Sequence, residues 1–313
     1  MPRLATLSTI LALACIAALQ GPPASAAEAP ECKRIRLADG GWTDNTAQNA
    51  LASTVLRSIG YDSNSEILAV PVIMQALENK DVDLWLDNWM PSQTAETKPF
   101  LDKGTVVDLG VNLEGAGYGP VVPTYAAEAG VKDLKDLAKH ADKFDRKFYG
   151  IEAGNDGNRI VQSKIDDPST GLSGWSLVES SEQGMLVEAQ KKMEKKDWVA
   201  FLAWTPHPVM GKMDLHYLTG FEADGFGPAT IHSLARADYA QQCPNAARFF
   251  KNLRFTLDME GAVMEQILAG KDADAAAAEW LKANPDAAMP WLEGVTTFDG
   301  QPADAAVKAA LGS

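Results

Sequence analysis

Short apolar runs alternate with amphipathic stretches along most of the chain, at the lengths of strands and helices. RIRLA (34–38) reads as a strand, and Thr43 or Asp44 can cap a helix over 47–58 that stops near Gly60. EILAV (66–70) predicts a second strand, Pro71 opens a helix to residue 80, and DVDLWLDNWM (81–90) predicts a third strand. This βαβαβ run implies a largely parallel sheet with its sites at the carboxyl ends of the strands.

A second unit begins after VVDLGVNLEG (106–115). A helix over 131–144 precedes the strand KFYGIEAG (147–154), and NDGN (155–158) caps a helix through residue 165. The strand SLVESS (176–181), a helix over 182–196 and the strand VAFLAW (199–204) complete it. A return segment from about residue 225 runs through ATIHSLARADY to Cys243. It leads into helices around NAARFFKNL, EGAVMEQIL and DAAAAEWLKAN. The expected architecture is two α/β lobes, the second inserted into the first, with a cleft between them. Their bounds are 27–113 plus 226–313 for the first lobe and 114–225 for the second.

The first 26 residues carry one charge, Arg3, then an apolar run over 11–19 and GPPASA ahead of Ala27. That is an export signal cleaved near Ala26, and the run is too short to span a bilayer. Cys15 offers the rival reading of a lipoprotein, but the apolar run continues past it where a mature lipoprotein turns polar. Cys32 and Cys243 are the cysteines left after cleavage, and an even count in an exported chain favours a disulfide over two free thiols. Such a bond ties the first strand to a segment more than 200 residues later, which supports the insertion. With 28 basic and 42 acidic residues the net charge is −14, or −15 without Arg3. This argues against nucleic acid or anionic lipid as partner and mildly favours cations.

Four aromatic residues stand beside turn-forming residues at predicted strand ends: Trp42 in GWTD, Trp89 in DNWMP, Tyr118 in GAGYGP and Trp204 in LAWTPHP. Together they read as a box for an organic cation. A quaternary ammonium has no N–H to donate, but each aromatic face can hold it at roughly 0.5–2 kcal/mol. A single tryptophan is more often packing than function. Trp85, inside an apolar run, is expected to pack, as are Trp175, Trp198, Trp280 and Trp291. Asp44 serves equally as a helix cap or a ligand contact, Asn155 as a turn residue, cap or contact, and Asp87 as a solvated strand residue. Catalytic readings find little: His140, His207, His216 and His232 have no metal-ligand spacing, and no nucleophile elbow, P-loop or GxGxxG is present. No cofactor is implied.

These residues resemble the substrate-binding proteins of ABC transporters for glycine betaine and choline, most closely the periplasmic choline-binding proteins. GWTD, VPV, LENKDVDLWLDNWMP, YGIEAGNDGNR, VESSEQGML, FLAWTPHPVM, CPN and EGAVM fall in the family's order over essentially the whole mature chain. The resemblance implies a type II periplasmic binding protein with its ligand between the lobes and no enzymatic activity. Trp42, Trp89, Tyr118 and Trp204 then surround a trimethylammonium group, while Asp44 and Asn155 bond the choline hydroxyl. Cys32 and Cys243 match the family's disulfide positions. A carboxylate at position 44 repels the carboxylate of betaine, so choline is expected first, with acetylcholine and betaine weaker. The implied partner is a membrane permease, and the expected state is a monomer. Alternatives are a betaine, carnitine or dimethylsulfoniopropionate binder, an exported choline-ester hydrolase, or a protein serving a chemoreceptor. Asp87 and VVPTYAA (121–127) depart from the family pattern.

Overall fold

In the computed structural model, residues 27–312 are described, and the expected signal peptide and its Cys15 lie outside the described residues. Among these residues nine strands form one mixed sheet. They are β1 (Arg34–Asp39), β2 (Asp62–Ile67), β3 (Leu84–Met90), β4 (Val106–Pro123), β5 (Lys147–Tyr149), β6 (Ser176–Val178), β7 (Phe201–Thr205), β8 (Leu215–Tyr217) and β9 (Gly227–Arg236). The order is β2-β1-β3-β9-β4-β7-β5-β6, with β8 also on β4.

Parallel pairs occupy the two ends of the sheet: β1 with β2 and β3, and β5 with β6 and β7. Parallel neighbours need crossover connections. Helices α1 (Thr43–Ser58) and α2 (Val70–Asn79) supply them on one side. Beyond α3 (Thr94–Lys103), α4 (Thr124–Glu128) and α5 (Leu134–Lys139), helices α6 (Asp156–Asp166) and α7 (Glu182–Glu194) supply them on the other. The two ends meet through β4 and β9, which pair antiparallel over most of their length. Glycines at 110, 115, 117 and 119 break the period of two along β4, and the β4–β9 register slips between Leu113 and Ala116. The region therefore reads as punctuation in the sequence but folds as one 18-residue strand.

Helix α1 is buried on nearly every side, between the sheet and the C-terminal helices Leu257–Leu268 and Ala273–Ala283. Several of its polar residues bond to the sheet and to neighbouring turns. Asn45 Oδ1 accepts from the Gly40 amide and the Trp85 indole, Asn49 Nδ2 donates to Ala38 O, and Ser53 bonds Ser63. The return of the chain is fixed by a Cys32–Cys243 disulfide (Cα–Cα 5.5 Å). A second tie is Asp83, held between Arg36 and Arg236 at 2.8 Å each. Burial alone would raise the Asp83 carboxyl, but the hydrogen bonds from Arg36 and Arg236 outweigh it and hold the group below its ordinary range. No helix among the described residues is long and apolar enough to cross a membrane.

Three local expectations shift. The first helix begins at Thr43, four residues before its apolar periodicity. The 131–144 stretch is α5 followed by a short 3-10 turn, Ala141–Phe144, and β2 ends at Ile67, so residues 68–69 lead into α2 instead.

Candidate functional site

The six side chains Trp42, Asp44, Trp89, Tyr118, Asn155 and Trp204 line one cavity, with Gln93, Ile151 and Asp156. Each side chain arrives by a local device. Trp42 follows the end of β1, and its ring lies against Gly40, where a Cβ would come within 2.9 Å of the indole. Trp89 and Trp204 sit one residue before the ends of β3 and β7. Tyr118, by contrast, lies within β4, directly opposite Trp204 in the antiparallel register. That pairing sets the two rings edge to face at 6.3 Å, with the Trp89 ring 5.6 Å from Tyr118 on another side.

Asn155 is the N-cap of α6. Its Oδ1 accepts from the Gly157 amide at 2.7 Å, the Asn158 amide at 3.4 Å and the Tyr118 hydroxyl at 3.1 Å. A residue larger than glycine at 157 would collide with that hydroxyl, since a Cβ there falls 2.0 Å from it. With the carbonyl oxygen so employed, the Asn155 side chain offers a ligand only its amide N–H groups.

Asp44 does not cap α1. The cap position belongs to Trp42, whose own side chain makes no capping bond, and Asp44 lies in the first turn with Oδ1 buried and unpartnered. Burial, with the charges of Asp87 and Glu182, pushes its carboxyl well above the ordinary range. Asp156 has the same character: it is fully buried, its Oδ2 has no partner, and burial raises it to about 6. Two carboxylates therefore face the cavity with unused oxygens, and no basic side chain lines it. Buried acceptors of this kind are costly unless something completes them. The cavity thus combines aromatic faces with two acidic side chains and no basic one, an arrangement whose chemistry suits a cation.

Asp87 corrects the sequence reading most clearly. It is buried, not solvated; its Oδ1 accepts from the Trp89 indole N–H at 3.0 Å and from Gln48 at 3.2 Å. Gln48 also donates to Glu260, and burial raises both acids well above their ordinary range. The sequence offered one hint, the i, i+2 spacing of Asp87 and Trp89, which places both on one strand face.

The two ends of the sheet touch across the cavity. The Trp42 indole donates to Glu152 Oε2 at 2.9 Å, and Gln93 Nε2 donates to Asp156 at 3.1 Å. Glu182, first residue of α7, accepts from the Thr43 amide at 2.8 Å and its hydroxyl at 2.6 Å, filling the uncapped start of α1. His207 Nδ1 accepts from the Val209 amide, so Nε2 carries the hydrogen that reaches Glu182 at 3.0 Å. Sequence reasoning missed Gln93, Glu152, Asp156 and Glu182. Each stands in a polar turn or helix start where solvated residues look the same.

Residues 33–283 match the family described as the substrate binding domain of ABC-type glycine betaine transport systems. Among solved structures, an ABC-transporter choline binding protein in complex with choline aligns over 91% of this chain and 100% of its own. The identity is 44% and the TM-score 0.89. An uncharacterized protein, ORF1, of Chromohalobacter salexigens is 46% identical over 132 residues, which are 42% of this chain and 85% of that protein. The glycine betaine/carnitine transport binding protein GbuC of Listeria monocytogenes is 31% identical over 166 residues, 53% of this chain and 54% of GbuC.

Proposed function

Because this chain belongs to the family of substrate-binding domains of ABC-type glycine betaine transport systems, we propose that it captures choline outside the cytoplasmic membrane and delivers it to a membrane permease. The observation that carries choline over betaine is that Asp44 and Asp156 each keep one buried, unpartnered oxygen, in the lining of a cavity without a basic side chain. Betaine has the same trimethylammonium head, but its own carboxylate would meet these two. The 44% identity to a choline-binding structure supports the same reading.

In this mechanism the aromatic faces of Trp42, Trp89, Tyr118 and Trp204 hold the trimethylammonium group. Asp44 accepts the hydroxyl proton, and the Asn155 amide donates to the hydroxyl oxygen. The chain divides into lobes at 27–113 with 226–313 and at 114–225. β4 and β9 form the hinge near the register slip at Leu113, and the Trp42–Glu152, Gln93–Asp156 and Thr43–Glu182 bonds form on closure. Closure removes water from the cavity, which strengthens each ring contact. Four rings at roughly 1–2 kcal/mol each, with hydrogen bonds added and ordering costs subtracted, are consistent with micromolar binding near −8 kcal/mol.

Calorimetry with choline, acetylcholine, carnitine and glycine betaine tests this. The expected order places choline first, and betaine binding as tightly as choline would overturn the assignment. Release of acetate from acetylcholine would instead favour the hydrolase reading.

A further inference from the structure

Two of the three tryptophans at the cavity give their indole N–H to a buried carboxylate: Trp89 to Asp87 at 3.0 Å and Trp42 to Glu152 at 2.9 Å. A buried indole N–H needs an acceptor, but a neutral one suffices. Elsewhere in this molecule neutral acceptors serve, Asn45 Oδ1 for Trp85 and Arg254 O for Trp291. Burying a carboxylate for the same purpose costs far more than burying a carbonyl. Asp87 and Glu152 also each leave one oxygen buried and unpartnered, so neither is placed there to complete a salt bridge. What distinguishes the two rings at the site is that the acceptor is an acid, whose ionised form a cation on the ring favours against the burial that raises it.

We propose that Asp87 and Glu152 are positioning residues that set the preference of the site for a charged over a neutral ligand of the same shape, acting through the Trp89 and Trp42 rings. A charge-assisted hydrogen bond is about twice as strong as a neutral one and draws the N–H proton outward. Electron density moves onto the ring, and the face of the ring becomes more negative. Because attraction between a cation and a ring is electrostatic, the gain applies to a quaternary ammonium and not to its carbon analogue.

The two acids act at different moments. Asp87 lies on the same strand as Trp89, two residues away, and is in place whether or not the lobes are closed. Glu152 comes from the loop before α6, across the cavity from Trp42, and reaches its ring only when the lobes meet. That loop is held rigidly by Asn158, whose side chain bonds the backbone of Ile151 and Glu152 as well as Glu179. One ring is thus preset for the cation, and the other is completed by closure.

This inference rests on the choline reading, and the test separates the two. Choline and 3,3-dimethyl-1-butanol, its uncharged carbon isostere, are titrated by calorimetry into the wild type and into Asp87→Asn and Glu152→Gln, the weak isostere by competition against choline. Both substitutions keep an oxygen for the indole N–H. Each is expected to weaken choline about tenfold and to change the isostere less than twofold. Parallel losses for both ligands, or none, would overturn the inference while leaving choline binding standing. A wild type that binds no quaternary ammonium would overturn the choline reading itself. If a variant does not fold, the indole ¹⁵N–¹H resonances of the wild type decide instead. The Trp89 signal is expected far downfield with or without choline, and the Trp42 signal is expected there only with it. Identical behaviour of the two signals would sink the division of roles.

Discussion

Replacing Asp44 with asparagine is expected to stabilise the empty protein and weaken choline binding at once. The side chain is 1% exposed, Oδ1 has no partner, and burial together with Asp87 and Glu182 raises its pKa well above the ordinary value. Removing a buried, uncompensated acceptor of this kind relieves about 1–3 kcal/mol. At about 2–4 °C per kcal/mol for large single chains, the melting temperature of the ligand-free variant should rise by several degrees. The sign with pH follows from the raised pKa. Stability from this group is fully present below the unfolded value of about 4 and is lost as pH rises through the folded value. Asparagine does not titrate, so the difference in melting temperature should be near zero at acid pH and open towards pH 8. A hydrogen bond to a charged group is worth about 1.5–3 kcal/mol, so choline affinity should fall roughly 10- to 150-fold, with betaine gaining relative to choline. Melting curves across pH and calorimetry at pH 8 provide the measurement. A variant with no gain in melting temperature at pH 8 and unchanged choline affinity would refute the claim that Asp44 is an uncompensated acid facing the ligand.

Glu182→Gln removes the charge that meets the Thr43 amide and hydroxyl at the start of α1, and should weaken choline about tenfold or more through faster release. Stopped-flow kinetics in which the association rate falls instead would show that Glu182 does not hold the closed state. The Cys32→Ser, Cys243→Ser pair should lose about 2–4 kcal/mol of stability, while choline affinity stays unchanged because neither cysteine lines the cavity. Equal affinity loss would show that the bond shapes the site. Burial raises Asp156 to about 6 and Glu152 to about 7, so their contribution to stability is present below about pH 4 and lost as pH rises through those values. Because this burial belongs to the closed form, the ligand-free protein should close more readily at pH 5.5 than at pH 8, read as a compaction in small-angle scattering that declines with pH. The double variant Asp156→Asn, Glu152→Gln should flatten that slope, and an unchanged slope would assign it elsewhere.

The sequence by itself determined the alternation of strands and helices, the pairing of two distant cysteines as an economical expectation, and the short set of aromatic residues beside turns. These are local signals: period, cap, breaker and residue type are written within a few positions of each other. It also carried Asp44 and Asn155 as candidates, though as caps or contacts alike. Only the tertiary structure decided between those roles, because a cap is defined by where the helix begins. Here α1 begins at Thr43 and leaves Asp44 uncommitted, while Asn155 caps α6 and keeps only its amide for a ligand. The same holds for Asp87, Glu152, Asp156 and Glu182. Whether an acid is solvated or buried against a tryptophan depends on residues brought from the other end of the sheet, and burial, not residue type, sets its charge and its cost.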